Sequence, residues 1–123
     1  AFQILADNAL MLARLDLVTG EYRIVKRDER LMGVSEEKTL QLESYCEQLV
    51  AEKAIHPEDA AQFRAQAKLE LLQAALFRER RSVIRRLRQM VAVWVRIEVL
   101  PCKDCSPEDP WAVVVAREEF PEE

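Results

Sequence analysis

Cys102-Lys103-Asp104-Cys105 places two thiols at the spacing at which thiolates hold zinc or switch between thiol and disulfide. A structural zinc takes four ligands, and the other candidates, Cys46 and His56, fall on helical sequence far away in the chain. Redox chemistry of the thioredoxin type sets such a pair at the start of a helix after a strand, whereas this one follows Pro101 in a polar loop. The pair reads as an incidental loop feature, with metal or redox sensing as the alternative, and no metal site is assigned. His56 is the sole histidine and stands directly before Pro57. That position suits a helix start, and no nucleophile motif accompanies it for Ser-His-Asp or Cys-His catalysis. The carboxylate pairs Glu36 and Glu37, and Glu58 and Asp59, fall in helix first turns, where the dipole accounts for them. Gly20 and Gly33 stand alone, so no phosphate-cradling loop exists. No catalytic residue is assigned, and the chain is not read as an enzyme.

Seven arginines, Arg78, Arg80, Arg81, Arg85, Arg86, Arg88 and Arg96, crowd into the stretch 78–96. Such a surface can bind phosphate or an anionic metabolite through charge-assisted hydrogen bonds, with Arg86, Arg88 and Arg96 as the anion-binding candidates. The plainer reading is a solvated sheet surface, or salt bridges to a partner subunit. Trp94 is the one aromatic between these arginines, short of the row of stacking platforms that single-stranded nucleic acid would need. Net charge is −4, which gives no general attraction to nucleic acid or to anionic lipid.

The elements that position these residues follow from hydrophobic period. Phe2 to Asn8 reads as a short helix, with Phe2, Leu5 and Ala9 at helical spacing. Met11, Ala13, Leu15 and Leu17 then alternate with Leu12, Arg14 and Asp16, the pattern of a half-buried strand. Val18-Thr19-Gly20-Glu21 turns the chain, and Tyr22, Ile24 and Lys26 alternate with Arg23, Val25 and Arg27 to complete a hairpin. Ser35 can cap a helix whose buried stripe is Leu42, Cys46, Leu49 and Val50. Pro57 opens another, with Ala60, Phe63 and Ala67 inward, and after a bend near Ala67 a further stripe follows at Leu69, Leu72 and Leu76. From Ser82 the sequence is β-rich: Val83 to Arg88, Val93 to Val99 ending at Pro101, and Trp111 to Arg117. Strands and helices kept apart in this way give an α+β fold: a five-stranded antiparallel sheet, helices covering one face, and a short N-terminal helix.

The chain has 123 residues, half apolar and a third charged, enough for one core over 1–123 and too few for two. The longest apolar stretches, such as Val91 to Val95, are too short to span a bilayer, and no signal-peptide pattern opens the chain. Three cysteines do not suit a disulfide framework, so reduced thiols and a cytoplasmic setting are expected. The start at Ala1 and the acidic end at Glu118 to Glu123 read as a piece of a longer polypeptide.

Specific residues add a family resemblance. Asp16-Leu17-Val18-Thr19-Gly20-Glu21-Tyr22 resembles the turn between the first two strands of PAS domains. Ile55-His56-Pro57-Glu58-Asp59 with Phe63 is similar to a helix start frequent there, and Trp94-Val95-Arg96-Ile97 resembles the strand before the final loop. Val113 to Arg117 fits the last strand, so the resemblance covers nearly the whole chain. It implies a regulatory sensor and dimerisation module like those preceding GGDEF diguanylate cyclase or histidine kinase regions in bacteria. Such a module pairs with a second copy, sometimes holds a small ligand, and acts on a covalently attached effector. The apolar stripe of the first helix offers a surface for pairing. A ligand pocket would lie between the inner sheet face and the middle helices, with Leu15, Tyr22, Leu49, Phe63 and Trp94 as its wall. The same side chains would equally serve a filled core. No cofactor is expected: the Asn-Cys-Arg-Phe-Leu type of flavin motif is missing, and Cys46 stands in Tyr45-Cys46-Glu47.

Overall fold

Strand β1 (Met11–Asp16) and strand β2 (Glu21–Arg27) form a hairpin whose turn is fixed by one side chain. Asp16 Oδ1 accepts from the backbone N–H groups of Val18 and Thr19 at 2.8 and 3.0 Å, an Asx-type turn. The Gly20 N–H donates to the Asp16 carbonyl at 2.8 Å, and Gly20 takes φ +81°, a region open to glycine and costly for other residues. The Asp-Leu-Val-Thr-Gly stretch is thus held in its geometry by local hydrogen bonds. The computed structural model describes residues 9–27, 39–88, 94–101 and 105–119. The helix expected over Phe2 to Asn8, the cap at Ser35, Gln89 and Met90 between the strands expected over Val83 to Arg88 and Val93 to Val99, and Cys102 lie outside the described residues.

The remaining elements are β3 (Thr39–Gln41), α1 (Leu42–Ala51), α2 (Pro57–Gln66), α3 (Leu69–Gln73), a π-helical turn over Ala74–Arg78, β4 (Val83–Arg88), β5 (Trp94–Pro101) and β6 (Trp111–Glu119). The strands form one antiparallel sheet in the order β3-β2-β1-β6-β5-β4. The sheet therefore has six strands, not the five expected. The extra strand is β3, whose Thr39, Leu40 and Gln41 pair with Arg23, Tyr22 and Glu21 in sequence read as helix. Three residues are too few to show a period of two, and Gln41 passes directly from extended backbone (ψ 130°) into α1. The Leu42 N–H donates to the Gly20 carbonyl at 2.9 Å, which fastens the start of α1 to the hairpin turn.

One face of the sheet is covered by helices. Ala13, Leu15, Val95, Val99, Ala112, Val114 and Ala116 form its buried inner surface, packed with Leu42, Tyr45, Cys46, Leu72, Ala75 and Leu76. Each fully buried leucine contributes about 1.5–3 kcal/mol. α2 is different: none of its residues is buried, and only Phe63 and the capping Ala67 reach the core from it. The expected half-buried character of β1 is exceeded on the other face, where Leu12 is 1% exposed and packs with Ala9, Val113 and Val115. Trp111 lies on that face under the Arg14 and Arg23 guanidinium groups, 4.6 and 5.7 Å from its ring centre.

A Cβ at Gly20 would stand 2.6 Å from Gln41 Oε1 and 3.2 Å from Leu69 Cδ1, besides the strain of its positive φ. The Gln41 side chain would have to leave its 2.9 Å hydrogen bond to the Thr19 carbonyl. Gly20→Ala is expected to lower stability by about 1 to 3 kcal/mol, read as a shifted denaturant midpoint. An unchanged midpoint would contradict this role for the turn.

Candidate functional site

Between the inner sheet face and the helices lies a cavity of about 120 Å³. Its floor is sheet: Met11 and Leu15 of β1, Tyr22 of β2, Val95, Ile97 and Val99 of β5, Val114 and Ala116 of β6. Its roof is helical: Leu42, Tyr45, Cys46 and Leu49 of α1, Phe63 and Gln66 of α2, and Leu72 of α3. Leu49, Phe63, Gln66 and Ala67 are half-buried, which sets a mouth at the α1–α2 side, and of the floor residues Ile97 is half-buried too. α2 begins with a local cap, the His56 Nδ1 accepting from the Glu58 N–H at 3.2 Å, with Pro57 following. An exposed Arg64–Glu47 ion pair at 3.1 Å ties α2 to α1, a contact worth at most about 1 kcal/mol. The roof is thus firm along α1 and light along α2.

Four of the five wall residues expected from sequence, Leu15, Tyr22, Leu49 and Phe63, come together in this lining. Trp94 does not. It alternates with Val95 along β5, so the parity that turns Val95, Ile97 and Val99 into the cavity turns Trp94 to the opposite face. Tyr45, Cys46 and Val99 are among the contributors not named as wall from sequence. Cys46 already stood in the buried stripe of α1, whereas Tyr45, three residues after Leu42, lies on the same helix face but outside that stripe.

The cavity is poor in polar groups. The Tyr22 hydroxyl donates to Met11 Sδ at 3.1 Å, and the Tyr22 and Tyr45 rings pack with centres 5.3 Å apart. Burial pushes the Tyr22 phenol well above its ordinary range, helped by Tyr45 and Cys46 beside it. Burial likewise raises Tyr45 to about 12, with the neighbouring Cys46 and Glu52 charges adding to it. The Cys46 thiol is raised to about 12, by burial first and by Glu47 and Glu43 next, with Lys68 opposing. These three groups remain protonated and uncharged near neutral pH, so they can donate hydrogen bonds but offer neither a thiolate nor a phenolate.

The anion-binding candidates stand elsewhere. Arg86 pairs in register with Arg96, and Arg96 with Arg117, so the three lie in one row across β4, β5 and β6. Alternation along β5 puts Arg96 on the face away from the cavity. Its Nη2 lies 3.7 Å from Glu98 Oε1, and its Nε is buried without a hydrogen-bond partner among the described residues. Arg88 stands opposite Trp94 in the same ladder. Of the loop thiols, Cys105 is fully buried, and its carbonyl accepts from Arg80 Nη1 at 2.8 Å. Among the described residues no three of His, Cys, Asp and Glu gather as a metal site would need. No helix among them is long and apolar enough to cross a membrane.

No family model matches the chain, and no curated protein does. Among solved structures it is similar to the crystal structure of a sensory box histidine kinase/response regulator from Burkholderia thailandensis, with 19% identity and a TM-score of 0.54. The match covers 95% of this chain and 82% of that one. The likeness shows the fold: an α+β, PAS-like arrangement of antiparallel sheet and covering helices, as the sequence motifs lead one to expect.

The raised Cys46 ionisation has a sign that can be tested. Below its ordinary value of 9.0 the thiol is protonated in both the folded and the unfolded chain. Between 9.0 and about 12 the unfolded chain loses a proton that the folded chain keeps, so stability falls as pH rises through that window. Tyr45, raised from 10.0 to about 12, acts in the same direction. Denaturant midpoints measured upward from about pH 8 should fall, and Cys46→Ala should flatten the early part of that fall. Equal slopes in both proteins would contradict the burial of this thiol.

Proposed function

We propose that this chain is the regulatory input module of a bacterial signal-transduction protein, in which a small molecule held between sheet and helices alters an attached effector. The cavity is the observation that carries the reading: it is apolar, reachable at one side, and roofed in part by a helix with little holding it down. Its position between a sheet face and covering helices is one where ligand sites recur. The fold supports the same reading, because the similar solved protein is by its name a sensory box histidine kinase/response regulator. The effector is a histidine kinase or a diguanylate cyclase, and catalysis belongs to it rather than to this module. Within the module the single histidine is engaged in capping α2.

A path for the signal follows from connectivity. Val114 and Ala116 line the cavity, and the same strand β6 runs on to Glu119. Its neighbours β1 and β5 supply Leu15 and Val99 to the same wall. An occupant that displaces α2 or presses on β6 therefore acts on the strand nearest the end of the sequence. The module works as a homodimer, so that the two effectors respond together. The alternative, an anionic-metabolite module using Arg86, Arg88 and Arg96, draws support from the buried Arg96 Nε. These positions share the face away from the cavity by register, and the ligand-cavity reading stands first.

Thermal unfolding against a set of small uncharged apolar compounds tests this reading. A binder present at 100 times its Kd should stabilise the protein by about 2.7 kcal/mol through mass action. Ala116→Leu, which adds volume into the cavity, should abolish that gain while the protein still folds. Compounds that stabilise wild type and variant alike, or none at all, would contradict the cavity as the input site. Sedimentation at micromolar concentration reads the pairing, and a strict monomer would overturn that part of the proposal.

A further inference from the structure

The Tyr22 hydroxyl is the most deeply buried donor in the cavity wall: its residue is 3% exposed, and it donates to the Met11 sulfur at 3.1 Å. A thioether is a weak acceptor, so this phenol has exchanged water for a poor partner. A buried polar group in that position is stabilised by any better acceptor brought to it. Met11 and Tyr22 both line the cavity, so an occupant reaches the two ends of this bond. No Lys, Arg, His, Asp or Glu is among the lining residues. A charged occupant would therefore lose its hydration without gaining a counter-charge. The volume, about 120 Å³, is close to that of an engineered apolar cavity of about 150 Å³ known to take benzene, which sets the occupant at roughly six non-hydrogen atoms.

We infer that the cavity selects a small uncharged molecule with a compact hydrocarbon body and one oxygen acceptor, such as a ketone carbonyl. That oxygen takes the Tyr22 hydroxyl away from Met11. The inference rests on the ligand-cavity reading above and adds the chemical class of the occupant and the residue that distinguishes it. Tyr22 acts as the specificity donor, and Met11 as the internal acceptor that holds the hydroxyl when the cavity is empty. Burial keeps the phenol protonated well beyond neutral pH, so the donor persists across the physiological range.

Two probes of equal shape separate the hydrogen bond from simple filling: cyclopentanone and methylenecyclopentane. Each is titrated into the protein while the methyl NMR signals, including that of Met11, are followed. Tyr22→Phe should weaken cyclopentanone by about 3- to 10-fold and change methylenecyclopentane by less than about 2-fold. Met11→Leu conserves volume and removes the competing acceptor, so cyclopentanone should bind about 2- to 5-fold tighter with the hydrocarbon unchanged. Equal shifts for both probes in these variants would overturn the acceptor requirement and leave the cavity reading standing. Failure of both probes to bind the wild type would overturn the cavity reading and this inference with it, and binding of the hydrocarbon alone would overturn this inference. Should Tyr22→Phe not fold, Met11→Leu decides alone, and no gain for cyclopentanone there overturns the inference.

Discussion

The inner face of the sheet must be kept from water, and the material available to cover it is uneven. β1, β5 and β6 present Leu15, Val95, Val99, Val114 and a set of small residues, Ala13, Ala112 and Ala116, all buried. α1 and α3 answer with Leu42, Tyr45, Leu72 and the following Leu76. Between them α2 sends only Phe63 and the end of its last turn toward the sheet. Interiors normally pack to crystal-like density, so a gap over Leu15, Val99, Val114 and Ala116 persists only because its cover is short of side-chain volume. The cavity, its mouth, and the light attachment of α2 all follow from that shortage.

The polar groups around the gap obey the same constraint. Tyr22, Tyr45 and Cys46 all lie on the apolar side of the sheet, and each is held uncharged by loss of water. Charge is kept to the other side and the rim, where Arg14 and Arg23 stack on Trp111 and Arg96 meets Glu98. The cavity lining is thus uncharged, whereas the opposite face carries both these charged groups and the buried cluster of Leu12, Val113 and Val115. An uncharged lining favours an uncharged occupant, whereas the PAS-like fold alone specifies no ligand.

Much of this was legible in the residue pattern. The hairpin was readable because Asp16, Thr19 and Gly20 are locally determined: their hydrogen bonds lie within the turn itself. The start of α2 was readable for the same reason, through His56 and Pro57. β3 was not, because its three residues acquire strand character only by pairing with β2 at the sheet edge. Leu15, Tyr22, Leu49 and Phe63 fell in the cavity wall as expected, each fixed by the apolar phase of its element. Trp94 did not, although Arg96 and Glu98 share its parity and mark that face as the polar one. The gap itself had no sequence signal, since it depends on side-chain volumes facing one another across elements distant in the chain.

The central claim is that a dry, unfilled space of about 120 Å³ lies between β5, β6 and the helices. Diffraction from crystals held under xenon tests it most directly, because apolar cavities of this size accept the gas. A xenon peak bounded by Leu15, Phe63 and Val99 is the expected result. An absence of any peak there, with Phe63 or Leu49 packed into the space, would contradict it.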